Sequence, residues 1–175
     1  MNPAPLRADC ARCAALCCVA LAFDRSALFA FDKAAGEPCP NLETCGRCRI
    51  YADREREGFG GCVRYDCLGA GQRVIQEVFA GRTWRDEPAL LAPMLRAFAT
   101  LREAHELLLL LNEAGKLALT RDERDSLTDL EGALQPRDGW SVYSLSRLRL
   151  SEISRRARRF LGGLRGRIPH AAARA

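Results

Sequence analysis

The sequence has 175 residues, of which 48% are hydrophobic and 28% charged, with a formal net charge of +5. This length suits one compact domain, or a small module with a helical extension, and the composition is that of an ordinary globular protein. No stretch approaches the roughly 20 apolar residues of a membrane span. The charge is uneven: +2 over residues 1–85, −5 over 86–139 and +8 over 140–175. Electrostatic arguments about partners therefore belong to the C-terminal part.

Residues 1–9 hold two prolines and no periodic pattern. Asp9 is placed to cap a short helix that starts at the cysteines. On such a helix Cys10, Cys13 and Cys17 fall within an arc of roughly 60°, with Cys18 to one side. The apolar run Ala14–Phe23 lacks the small-residue cleavage site of a signal peptide. Residues 24–49 contain Gly36, Pro38 and Pro40 and read as loop. Ile50–Glu57 reads as one helical turn or more, ended by Gly58, Gly60 and Gly61. Val63–Tyr65 reads as extended, and a helix is expected over Gln72–Phe79.

Composition changes at residues 80–88 from Cys/Gly-rich to Leu/Ala/Glu-rich. From Pro88 to Leu117 a helical stripe runs through Leu91, Met94, Leu95, Phe98, Leu101, Leu108 and Leu111. The five leucines 107–111 predict a helix packed on several sides. A further helix is expected over Arg121–Leu134, capped by Thr120, and another over about 141–164. The expected fold is mainly α. An irregular cysteine-rich metal-binding module occupies residues 1–85, a region of about three helices 86–167, and a disordered tail 168–175.

All nine cysteines lie in the first 67 residues, at 10, 13, 17, 18, 39, 45, 48, 62 and 67. With no evident signal peptide, the expected compartment is the cytoplasm and the thiols are reduced. Thiolate binds zinc or iron, and the spacings Cys10-x2-Cys13 and Cys45-x2-Cys48 let two sulfurs grip one ion. Metal binding also supplies folding energy that a loop-rich module does not raise from its own core. Redox-active and inert buried thiols remain the alternatives, and the loop signals between the cysteines weigh against burial alone.

The order Cys17-Cys18, Cys39-Pro-Asn-Leu42, Cys48-Arg-Ile-Tyr51, Arg54, Cys62 and Tyr65-x-Cys67 resembles the YkgJ-type cysteine-rich family of zinc or iron chelators. Glu55 stands where that family has proline. A longer resemblance covers roughly residues 10–110. The pieces Phe31–Cys39, Gly58–Cys62, Asp66–Gln72, Trp84-Arg85 and His105–Leu108 are similar to the N-terminal region of actinobacterial pentapeptide-repeat proteins. The repeat array itself is absent from this sequence. Within this resemblance Cys45 is the odd cysteine. The implied metal ligands are Cys10, Cys13, Cys17, Cys18, Cys39, Cys48, Cys62 and Cys67, and the implied cofactor is zinc or an iron–sulfur cluster.

Cys67-Leu-Gly-Ala-Gly-Gln72 reads as a tight turn that places Cys67, since no strand precedes it as a dinucleotide site requires. His105 on the apolar stripe reads as a satisfied core histidine. No catalytic residues are legible. The last helix is basic and amphipathic. Its arginines, among them Arg147, Arg155, Arg156, Arg158 and Arg159, suit a solvated face, an acidic protein or nucleic-acid partner, or a membrane surface. The function expected is metal binding in an accessory or sensing role. The alternatives are a metal-stabilised nucleic-acid-binding regulator and a cluster-dependent enzyme domain.

Overall fold

The computed structural model describes residues 6–167. Within them the protein is mainly helical, and β pairing is confined to three isolated antiparallel bridges: Phe23 with Lys33, Ser26 with Phe29, and Leu42 with Cys48. The expected tail over 168–175 lies outside the described residues. None of the described helices is long and apolar enough to cross a membrane.

The cysteine run does not form one helix. Asp9 caps as expected, its carboxylate accepting the Ala11 N–H at 3.1 Å, but only a 3-10 turn over Cys10–Arg12 follows. The Ala14 carbonyl accepts the Trp84 indole N–H at 2.8 Å, so it is taken from the helical ladder. Ala15 then turns left-handed at φ 55°, and α1 (Leu16–Ala20) begins after it. Cys10 and Cys13 thus sit on a different turn from Cys17 and Cys18.

The chain then loops around a small aromatic cluster. Phe23 stacks on Phe29 at 4.3 Å, and Phe31 meets the edge of Phe59 at 4.9 Å. Residues 50–57 form successive turns rather than a helix, because after Tyr51 they offer no apolar face to bury. Val63 is helical, not extended: α2 (Gly60–Arg64) begins at the glycines. Gly61 starts this helix instead of breaking it because the Phe29 ring fills the place of its missing side chain, only 2.1 Å from where a Cβ would stand. The helix expected over 72–79 is present as α3 (Ala70–Arg73), which continues into a π-helical turn over Val74–Val78.

The long stripe forms α4 (Leu91–Ala114) after a 3-10 turn over Pro88–Leu90. Its leucine run is not enclosed all round: Leu107, Leu108 and Leu111 are buried, whereas Leu109 and Leu110 are 40% and 51% exposed. The next helix, α5 (Arg121–Leu134), has the bounds its sequence predicts, with Thr120 and Glu123 closing a reciprocal capping box. The last helix is split into α6 (Val142–Ser146) and α7 (Leu150–Gly163).

Two apolar cores explain the split. The first joins Ala14 and Leu16, the buried face of residues 70–79, the first half of α4 (Met94, Phe98, Leu101), Trp140 and Leu145. The second joins the rest of α4 with Leu127, Leu130 and Leu134 of α5 and Ile153 and Ala157 of α7. Leu145 serves the first core and Ile153 the second, so the chain between them must change direction. α4 runs through both and carries the thiol-bearing part on its first half.

Candidate functional site

Cys67 is held most firmly. The Asp66 carboxylate accepts the Leu68 N–H at 2.7 Å, and Leu68 itself is left-handed at φ 52°. Its carbonyl receives a hydrogen bond from His105 Nδ1 at 2.6 Å. Gly69, at φ 80°, then opens α3, so the Gly-x-Gly stretch is the turn that places Cys67.

His105 is the satisfied core histidine expected, 1% exposed, with Arg73 Nη1 3.4 Å from its Nε2. A single proton on Nδ1 suits both contacts. Burial pushes its pKa down to about 4, against the pull of the Leu68 carbonyl, so it is neutral. Arg73 in turn makes a two-pronged contact with Glu77, at 2.8 and 3.0 Å, and Glu77 Oε2 accepts the Trp140 N–H at 3.2 Å. This network joins the Cys67 turn, α4 and the segment before α6.

The Cys10–Cys13 turn is strapped down by side chains from residues 70–84. Gln72 accepts the Asp9 N–H and donates to the Arg7 carbonyl, both at 2.8 Å. Gln76 donates to the Arg12 carbonyl at 3.3 Å. The Cys13 sulfur lies so close to Gly71 that a Cβ there would come within 2.5 Å of it. Cys13, Cys17 and Cys67 all border the first core. Beside Cys17 and Cys67 stands Tyr65, whose buried hydroxyl has no hydrogen-bond partner among the described residues.

Backbone contacts tie further cysteines to α1. Cys39 N–H donates to the Cys18 carbonyl at 3.0 Å, Leu42 N–H donates to the Cys39 carbonyl at 2.8 Å, and Leu42 bridges to Cys48. Cys62 joins through Arg54, whose Nη1 donates to the Cys62 carbonyl at 3.3 Å while its guanidinium stacks 3.9 Å above the Tyr51 ring. Lys33 is buried next to this group, and its ammonium donates to the carbonyls of Val19, Leu21 and Ala34 at 3.1, 2.6 and 2.9 Å. Burial lowers its pKa, and the nearby Cys39 and Cys18 oppose the fall.

The thiols feel each other. Burial raises Cys13 and Cys62 to about 11; Cys67 adds to the first, and Cys18, Cys39 and Cys48 to the second. Burial also raises Cys10 and Cys39. Within the adjacent pair, the hydrogen bond from Cys17 pulls Cys18 down to about 7, helped by Lys33 and Arg54, and Cys17 is raised. Cys45 stands apart, exposed, its thiol donating to Glu43 Oε2 at 3.4 Å. Among the described residues no three Cys, His, Asp or Glu side chains come close enough together to hold a metal ion.

Thiols as a donor type suit a soft metal, and near Cys17 and Cys67 the buried Tyr65 hydroxyl has no partner among the described residues, while Lys33 and Arg54 lie near Cys18. Lys33, Gln72 and Trp84 tie the backbone of the thiol-bearing segments together, contacts that the sequence alone did not show. The signal at Lys33 and Trp84 was their place inside the longer resemblance; burial and reach were invisible.

On the basic helix Arg155, Arg156, Arg158 and Arg159 are exposed. Arg158 donates to Ser154 Oγ at 3.3 Å, and Arg147, between α6 and α7, lies 5.5 Å over the Tyr143 ring. Among the described residues Arg155, Arg156 and Arg159 make no ion pair with the acidic segment before them.

No family model matches the sequence. The uncharacterized protein YybG of Bacillus subtilis (strain 168) is 46% identical over 109 residues, which is 62% of this chain and 39% of that protein. The matching region thus spans well under half the length of that relative. No solved structure matches.

Proposed function

We propose that this chain is a metal-binding protein that holds zinc or an iron–sulfur cluster through the thiolates of Cys10, Cys13, Cys17, Cys18, Cys39, Cys48, Cys62 and Cys67, in an accessory or sensing role. What supports the reading is the confinement of all nine cysteines to residues 10–67, on short segments tied to one another by backbone hydrogen bonds such as that from the Cys39 N–H to the Cys18 carbonyl, with burial raising Cys13, Cys39 and Cys62. Ionising such thiols without a partner is costly; a bound cation removes that cost and takes the place of the protons. Lys33 and Arg54 offset the negative charge of the thiolates. The resemblance of the cysteine order to that of the YkgJ-type chelators supports the same reading. Nine free thiols belong in a reducing compartment, the cytoplasm.

Anaerobic purification followed by elemental analysis and a visible spectrum tests this. Iron with absorbance near ~400 nm identifies a cluster, and zinc in a colourless protein a structural ion. Folded protein that carries neither metal contradicts the proposal.

A second reading rests on the exposed arginines of α7. They form a basic face suited to nucleic acid, with the metal shaping the fold. It requires salt-sensitive DNA binding that is lost when Arg155, Arg156, Arg158 and Arg159 become Gln. Binding unchanged by that replacement, or no binding at low salt, discards it.

A further inference from the structure

We propose that the groove between the C-terminal ends of α4 and α7 docks an amphipathic helix of a partner protein, one whose apolar face is flanked by acidic residues. The groove borders the second core and is lined by no residue of the thiol-bearing segments, so the inference stands apart from metal binding.

α4, α5 and α7 close the second core between them. Between α4 and α7 an open groove of about 650 Å³ remains, and no residue of α5 lines it. Its two walls share one spacing, i, i+3, i+4: Leu110, Glu113 and Ala114 on α4, and Arg158, Leu161 and Gly162 on α7. Residues so spaced form one face of a helix, so the groove is a slot between two helix faces. Leu110 is 51% exposed and Leu161 half-buried, apolar surface that the described residues leave uncovered. Ala114 and Gly162 are the small members of the two walls, and a Cβ on Gly162 would meet nothing within 4 Å. An incoming helix backbone can come close there while its side chains lie on Leu110 and Leu161, which is the helix-in-groove mode of recognition.

The rim sets the charge of the occupant. Lys116, Arg158 and Arg165 line the groove against one carboxylate, Glu113, which pairs with Lys116 at 2.6 Å. Arg158 also lines a shallower depression beside it, together with Arg155 and Glu103. The seam therefore follows α4 from residue 103 to 117, roughly 20 Å or four helical turns. Among the described residues no carboxylate pairs with Arg155, Arg158 or Arg165. Acidic residues beside the apolar face of the partner helix supply those pairs, whereas a basic helix meets like charge.

Fluorescence anisotropy tests this with the full-length chain and a labelled helical peptide that carries leucine at every third and fourth position and glutamate elsewhere. The peptide is expected to bind, less tightly as salt is raised. Its counterpart with lysine in place of glutamate should bind at least about tenfold more weakly. Gly162→Trp fills the groove from an open position, and Leu110→Lys changes an exposed one; each should weaken binding about tenfold and leave the circular dichroism spectrum unchanged. Either variant suffices if the other does not fold. No binding to the unaltered chain, equal binding of the lysine peptide, or binding that neither variant weakens overturns the proposal. A dimer of the unaltered chain that Gly162→Trp dissociates gives the groove to a second copy and also overturns it.

Discussion

His105 carries one proton between two obligations, the Leu68 carbonyl and the Arg73 guanidinium, with Glu77 behind Arg73. Its folded pKa of about 4 lies below the usual 6.5, so the unfolded chain binds the extra proton first. The stabilisation is therefore complete above pH 6.5 and lost as pH falls towards 4, by at most about 3 kcal/mol. Urea unfolding at pH 7 and pH 4.5 should show a smaller acid loss for His105→Gln than for the unaltered chain. An equal loss would mean that another group sets the acid sensitivity. Tyr65 offers a second test at this scale. Its hydroxyl has no partner among the described residues, so Tyr65→Phe should leave the thermal midpoint nearly unchanged. If the hydroxyl supports a bound thiolate, the same change should weaken metal retention against a chelator roughly tenfold, as loss of an outer-sphere partner does. Equal retention would remove Tyr65 from the site.

Gly71 shows how an element can be set by one missing side chain. Its Cβ would stand 2.5 Å from the Cys13 sulfur, so Gly71→Ala should push the Cys10–Cys13 turn off α3. The expected result is reduced metal content, while a helix-rich circular dichroism spectrum persists because the second core is untouched; unchanged metal content would contradict that placement. At the other end of the chain, Thr120→Ala should cost about 1 kcal/mol, the value of a lost N-cap, measured by urea unfolding. These elements were not equally legible. α5 could be read to its bounds because its cap and periodicity are local. The existence of α4 could be read because seven apolar residues keep one period, but the helix covers Leu91–Ala114 and not the whole stretch from Pro88 to Leu117. The cysteine run was misjudged because the Trp84 indole, seventy residues away, takes the Ala14 carbonyl. The break between α6 and α7 was hidden for a similar reason: both segments are amphipathic, but they face different cores. Gly61 reads as a breaker in the sequence because the Phe29 ring that fills the place of its side chain is distant along the chain. At the candidate site the thiols were plain in the sequence. The burial of Lys33 beside Cys18 and Cys39 depends on tertiary contacts that spacing does not encode.

α4 spans both cores, which makes the molecule separable by experiment. Leu111 is fully buried in the second core, away from the thiols. Leu111→Ala should lower stability by about 2–5 kcal/mol without changing metal content. If metal were lost in folded protein, the two cores would be more tightly coupled than their packing indicates. The claim on which the functional account turns is that eight of nine thiols are engaged. Exposure alone makes Cys10 and Cys45 the accessible pair. Metal binding as proposed would withdraw Cys10 and leave Cys45 alone. The direct measurement is reaction of the folded, anaerobically purified chain with a thiol-specific chromogenic reagent, before and after a strong chelator. Cys45 alone should react rapidly, and the other eight should follow as metal is withdrawn. Rapid reaction of Cys10 together with Cys45, with a count that does not change on chelation, would contradict it.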